Sequence, residues 1–97
     1  MTQPAECMTM AQLRVGIDDL DSQLIALLAR RAAFIDRAAQ LKPAENLPAR
    51  IDSRVEQVVA NVRDLAANHS FDPDLAEDLW RSIIEWSIAR EERVLGR

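Results

Sequence analysis

Between Thr9 and Lys42 the chain carries one unbroken helical pattern, and the length of that pattern limits what the molecule can be. Apolar residues fall at Leu13, Ile17, Leu20, Leu24, Leu27, Leu28, Phe34, Ile35, Ala38 and Leu41, in steps of three and four, the spacing that lines one face of an α-helix. Thr9 can cap it, with Gln12 three residues on as in a capping box. Pro43 ends it, because proline disfavours helical backbone in the residue before it. A helix of about 33 residues is roughly 50 Å long at 1.5 Å per residue. A compact domain of this size is only ~33 Å across. The helix is therefore too long for a compact monomer, and its apolar stripe continues along the excess. A second copy of the chain is the simplest cover, two-fold dimers being the commonest oligomers. An extended coiled coil is the rival reading, but the downstream segments carry wide apolar faces of their own. A mixed bundle built from two chains is favoured.

The rest of the chain reads as two more helices. Pro43 to Pro48 forms a short loop. A second helix, from about Ala49 or Asp52 to Ala67, carries Ile51, Val55, Val58, Val59, Val62 and Leu65. Valine is a mediocre helix former, so packing must hold this helix. Asn68-His69-Ser70 ends it. Asp72-Pro73 then places a capping side chain before proline at the first helical position. The third helix reaches about Leu95, with Leu75, Leu79, Ile83 and Trp86 on one stripe and Trp80, Ile84 and Ile88 beside it. Gly96 releases its end. β-Branched residues never alternate over a strand length, and aromatic residues are only 4%. The fold class expected is all-α, three helices long–short–long, in one domain covering residues 1–97.

Composition excludes several functions. Net charge is −4, whereas a phosphate-binding surface needs a basic field, so no nucleic-acid partner is expected. No segment approaches the ~18 uninterrupted apolar residues of a membrane helix, so no membrane partner is expected. The first residues, Met1-Thr-Gln-Pro-Ala-Glu-Cys, have neither the basic start nor the apolar stretch of a secretory signal, and the cytoplasm is the expected compartment. Cys7 is the only cysteine. It allows no intrachain disulfide or zinc cluster and is read as an inert thiol. His69 lies in a polar turn and is read as a surface residue.

Charged residues interrupt the long stripe. After Leu24 and Leu27 the next step lands on Arg31, and an arginine in an apolar seam is costly unless an anion meets it. Arg30 turns about 100° away toward solvent. Lys42 follows Arg31 by close to three turns, on the same side and ~16 Å along the axis. Arg14 is roughly 42 Å from Lys42, too far to share a site within one chain, although in an antiparallel dimer it can reach the site of the other. Arg54 stands at the start of the second helix, where the helix dipole adds positive potential. One reading is an anion site. The other is solvated surface charge for Arg14, Lys42 and Arg54, with Arg31 paired to a carboxylate such as Asp21 of a second chain. The pattern by itself names no anion.

Leu13-Arg14, Ile17-Asp18-x-Leu20-Asp21, Leu24, Leu27-Leu28-Ala29-Arg30-Arg31 and Lys42 resemble the first helix of the all-helical chorismate mutases. Pro48, Arg54 and Ile83-Ile84-Glu85-Trp86-Ser87-Ile88-Ala89-Arg90-Glu91 extend the likeness over nearly the whole chain. Pro4-x-x-Cys7 and Arg54-Val55 are more similar to the isochorismate-pyruvate lyase branch of that family. The resemblance implies an intertwined homodimer with two sites, each using the first-helix arginine of the other chain. It implies a small dicarboxylate substrate, chorismate or isochorismate, bound by Arg14 of the partner, Arg31, Lys42 and Arg54, with Val55 and Ser87 lining the site. Lys42 would serve the ether oxygen and a carboxylate. Glu91 aligns with the family's ether-binding glutamine.

Two departures from the family pattern bear on activity. Val55 stands where mutases carry a glutamate that meets the ring hydroxyl. Glu91 replaces glutamine, and a carboxyl group donates a hydrogen bond only when protonated. Activity rising as pH falls below neutral is the expectation. The rearrangement of chorismate to prephenate is pericyclic and needs no nucleophile, metal or cofactor. Catalysis would come from holding the folded diaxial conformer and from fixed cations at the ether oxygen, with Lys42, Glu91 and Arg31 as the catalytic residues. The expected function is therefore chorismate mutase. The alternatives are elimination of pyruvate from isochorismate to give salicylate, and a non-catalytic helical dimerisation module.

Overall fold

A computed structural model describes residues 3–96. Its helices are α1, Met10–Leu41; α2, Asp52–Asn68; and α3, Pro73–Leu95, with single 3-10 turns at Pro4–Glu6 and Pro43–Glu45. No strand occurs among the described residues. The chain divides into two compact units, the first reaching Ala33 and the second beginning at Phe34, so the division falls inside α1. None of the helices is long and apolar enough to cross a membrane.

In the first unit, Thr9 caps α1 as expected, its Oγ1 accepting from the Gln12 amide at 3.2 Å. The capping box is not the expected one: Gln12 Oε1 accepts from the Met8 amide at 2.7 Å, one residue upstream. No residue from 3 to 33 is buried. Ile17, Leu20, Leu24 and Leu27, the seam of the helical pattern, are all about half exposed. The expected apolar seam around Arg31 is therefore not a buried one within this chain.

In the second unit, α2 packs on α3 around Ala49, Val59, Ile84 and Ile88, with Val55, Val58, Trp80 and Leu95 against them. Of the two expected stripes on α3, only that of Trp80, Ile84 and Ile88 faces this core. Leu75, Leu79 and Trp86 are exposed. The α2 valines at 59 and 62 are buried, which explains how a helix of weak formers persists. Helix ends follow local chemistry. Asp72 Oδ1 accepts from the amides of Asp74 and Leu75 at 2.9 and 3.3 Å. At the other end Gly96, at φ 77°, donates to Glu92. After α2, the Ser70 amide donates to Ala67 O and the Phe71 amide to Ala66 O, a Schellman closure with serine at φ 55° where glycine is usual.

Ion pairs lace α2 to α3. Arg81 meets Glu56 and Glu77, and Arg63 meets Asp74 and Glu77, at 2.7–3.0 Å. All are surface pairs of long side chains, worth little singly.

Candidate active site

Lys42 is the residue immediately after α1 and keeps helical dihedrals. Its amide donates to Ala38 O at 2.9 Å, so the helix end places its side chain. Nζ donates to the carbonyl of Ala49 at 2.8 Å and lies 2.7 Å from Glu91 Oε1. Both side chains are largely out of water, 15% exposed for Lys42 and 5% for Glu91. Nζ and Oε1 thus form a buried ion pair at hydrogen-bond distance. Lys42 is also the sole lysine, every other residue among the twelve Lys and Arg being arginine. A compact ammonium on a flexible stem is chemically distinct from a guanidinium fork.

Ser87 lies one turn before Glu91 on the same face of α3 and is equally buried. Its hydroxyl donates to Ile83 O at 2.8 Å. Val55, half-buried, packs against the Ala49–Val59–Ile84–Ile88 core, so its contacts in this chain are those of a core residue. Arg54 is exposed in the first turn of α2 and donates to Gln57 Oε1 at 2.7 Å. Arg14 and Arg31 belong to the first unit. Arg14 is exposed, and Arg31 is half-buried although every residue from 14 to 30 is exposed. Of the sequence-derived site residues, the structure thus brings Lys42 and Glu91 into contact and sets Ser87 beside Glu91.

Three features here had no counterpart in the sequence reading. The Ala49 carbonyl is a backbone acceptor and leaves no trace in residue type. Arg90 grips Asp36 through Nε at 2.6 Å and Nη2 at 3.0 Å. Arg50 grips Glu85 at 2.9 and 2.6 Å. The guanidinium hydrogen bonds hold the Asp36 and Glu85 carboxyls below their ordinary range. The partners in each pair lie 35 or 54 residues apart, beyond the reach of any helical periodicity. A separate open groove of about 720 Å³ in the first unit, lined by Glu6, Cys7, Gln12, Val15, Gly16, Asp19 and Gln23, offers an anion no cationic side chain.

An all-helical domain with a lysine and a carboxylate buried together between the end of its long helix and its last helix defines the class. The chain belongs to the chorismate mutase type II family, whose model matches residues 13–92, a span that includes Lys42, Arg54 and Glu91. It is 29% identical over 92 residues to the isochorismate pyruvate lyase of Pseudomonas aeruginosa, covering 94% of this chain and 89% of that protein. It is 23% identical over 86 residues to the chorismate mutase of Methanocaldococcus jannaschii, covering 89% and 87%. A match of 32% over 79 residues to the T-protein of Enterobacter agglomerans covers 81% of this chain and 21% of that protein.

Proposed function

We propose that this protein is a chorismate mutase, rearranging chorismate to prephenate, and that it works as an intertwined homodimer formed by a single domain over residues 1–97. The observation that carries the proposal is the buried Lys42–Glu91 contact, in a member of the chorismate mutase type II family, at the two positions where the family resemblance places the ether-binding groups. The half-exposed seam of α1, Ile17, Leu20, Leu24 and Leu27, supports the dimer, since contiguous apolar surface on this scale marks an interface. Arg14 of the partner and Arg31 bind the two substrate carboxylates. Lys42 serves the ether oxygen and a carboxylate, and Arg54 supports the carboxylate side. Ser87 and Val55 line the pocket. The transition state is held by a fixed ammonium in a dry site, where such a charge acts most strongly, and no cofactor takes part. The cytoplasm is the proposed compartment, a setting that suits the free thiol of Cys7.

Glu91 stands where the family's ether-binding glutamine does, and a carboxyl group donates a hydrogen bond only when protonated. Glu91→Gln supplies a permanent donor at that position and is expected to remain active in the substrate assay; an inactive Glu91→Gln counts against this role.

Loss of pyruvate from isochorismate, giving salicylate, is the second reading. The lyase relative at 29% identity and Val55 in place of the mutase glutamate favour it. Purified protein incubated separately with each compound separates the two. Loss of chorismate supports the mutase, and fluorescent salicylate from isochorismate supports the lyase. No turnover of either, with no thermal shift from a dicarboxylate analogue, leaves only a helical dimerisation module.

A further inference from the structure

The contact between Lys42 and Glu91 joins two helices through long, flexible side chains, and something must fix those helices in register for it to persist. Lys42 has four rotatable carbons and a point charge that accepts many geometries, so it cannot supply that register itself. Asp36 and Arg90 stand where a register device is needed. Asp36 lies on α1 six residues before Lys42, roughly 9 Å along the same rigid rod. Arg90 is the neighbour of Glu91 on α3, so whatever fixes Arg90 fixes the backbone of Glu91. The two meet as a fork, Nε to Oδ1 at 2.6 Å and Nη2 to Oδ2 at 3.0 Å, and paired parallel hydrogen bonds of this kind restrict orientation as well as distance. The guanidinium is steadied from its other face by Trp86, whose ring centre is 5.1 Å away. Ala39, between Asp36 and Lys42 in α1, is 2% exposed.

We propose that Asp36 and Arg90 are positioning residues that hold the Lys42 ammonium against Glu91. The pair is 44% and 39% exposed, so its contribution to stability is small, and its consequence is geometric. The inference rests on Lys42 and Glu91 being the active site, but the contact it concerns is measurable without any turnover.

Because Lys42 is the only lysine, its acetylation by a limiting amine reagent, followed by peptide mass spectrometry, reports the burial and pairing of that one side chain. Asp36→Asn and Arg90→Gln are each expected to acetylate at Lys42 several-fold faster than the parent protein. The exchanged double variant, Asp36→Arg with Arg90→Asp, should return toward the parent rate. Arg81→Gln, which breaks another exposed arginine–carboxylate pair, between α3 and α2, should leave Lys42 unchanged. With whichever substrate turns over, the two single variants should lose about 10-fold in kcat with little change in KM, the pattern of a misplaced catalytic group. Unchanged acetylation in both single variants overturns the proposal, as does failure of the exchanged pair to restore it. Failure of the single variants to fold also overturns it, since the pair would then be structural. If the parent protein turns over neither compound, the proposed function falls while the acetylation rates still decide this one.

Discussion

At the scale of single residues, Lys42 and Glu91 depend on one another. In Lys42→Ala the buried Glu91 carboxylate loses its adjacent ammonium, and breaking a buried pair from one side typically costs about 3–5 kcal/mol. The same substitution removes a transition-state cation, for which losses of ~10²–10³ in rate are typical. These two effects separate in the double variant Lys42→Ala with Glu91→Gln. It should melt well above Lys42→Ala alone by calorimetry and remain as inactive in the substrate assay. Equal melting temperatures would mean that the buried carboxylate does not feel the ammonium. Both residues were legible from the family likeness, whereas Asp36, Arg90 and the Ala49 carbonyl were not. Their importance comes from what they touch, and contacts between residues far apart in the chain leave no local pattern.

At the scale of elements, capping and ion pairing govern how α2 and α3 hold together. Ser70 ends α2 in the left-handed region, where a side chain is strained and glycine is not. Ser70→Gly removes a left-handed penalty of about 1–2 kcal/mol, partly offset by about 0.4–1 kcal/mol of added unfolded-chain entropy, so stability should rise modestly, visible as a later denaturant midpoint with unchanged slope. Acid acts on the ion pairs. Asp36, Glu56, Glu77 and Glu85 all sit below their ordinary range, held there chiefly by hydrogen bonds from Arg90, Arg81 and Arg50. A depressed carboxyl binds fewer protons in the folded than in the unfolded chain, so its contribution is complete above the unfolded value and fades as pH falls through the folded one. The melting temperature should be level from neutrality to about pH 5 and drop below about pH 4. Arg81→Gln, which releases Glu56 and leaves Glu77 to Arg63 alone, should shrink that drop. The helix limits themselves were readable from Asp72-Pro73, Pro43 and Gly96, since caps and breakers act within one turn. The capping box was misplaced by one residue because Gln12 is long enough to reach either amide.

At the scale of the whole molecule, the proposed dimer makes a quantitative prediction. If Arg14 serves the site of the other chain, Arg14→Ala and Lys42→Ala/Glu91→Gln are each inactive alone. Refolded together at equal amounts they should recover roughly a quarter of parental activity, because half the dimers are hybrid and each hybrid holds one complete site. No recovery would place Arg14 outside the site. Leu24→Asp, in the half-exposed seam of α1, should leave a monomer by sedimentation and abolish turnover. The one-dimensional pattern was enough to determine three helices, their order and ends, and the excess length of the first, because helical periodicity, caps and proline are properties of neighbours along the chain. It could not decide which of the two apolar stripes on α3 faces α2, that Ile17, Leu20, Leu24 and Leu27 are about half exposed, or that Glu91 is buried beside Lys42. Those depend on which surfaces meet across dozens of residues, and only packing in three dimensions selects among faces that are equally apolar in sequence.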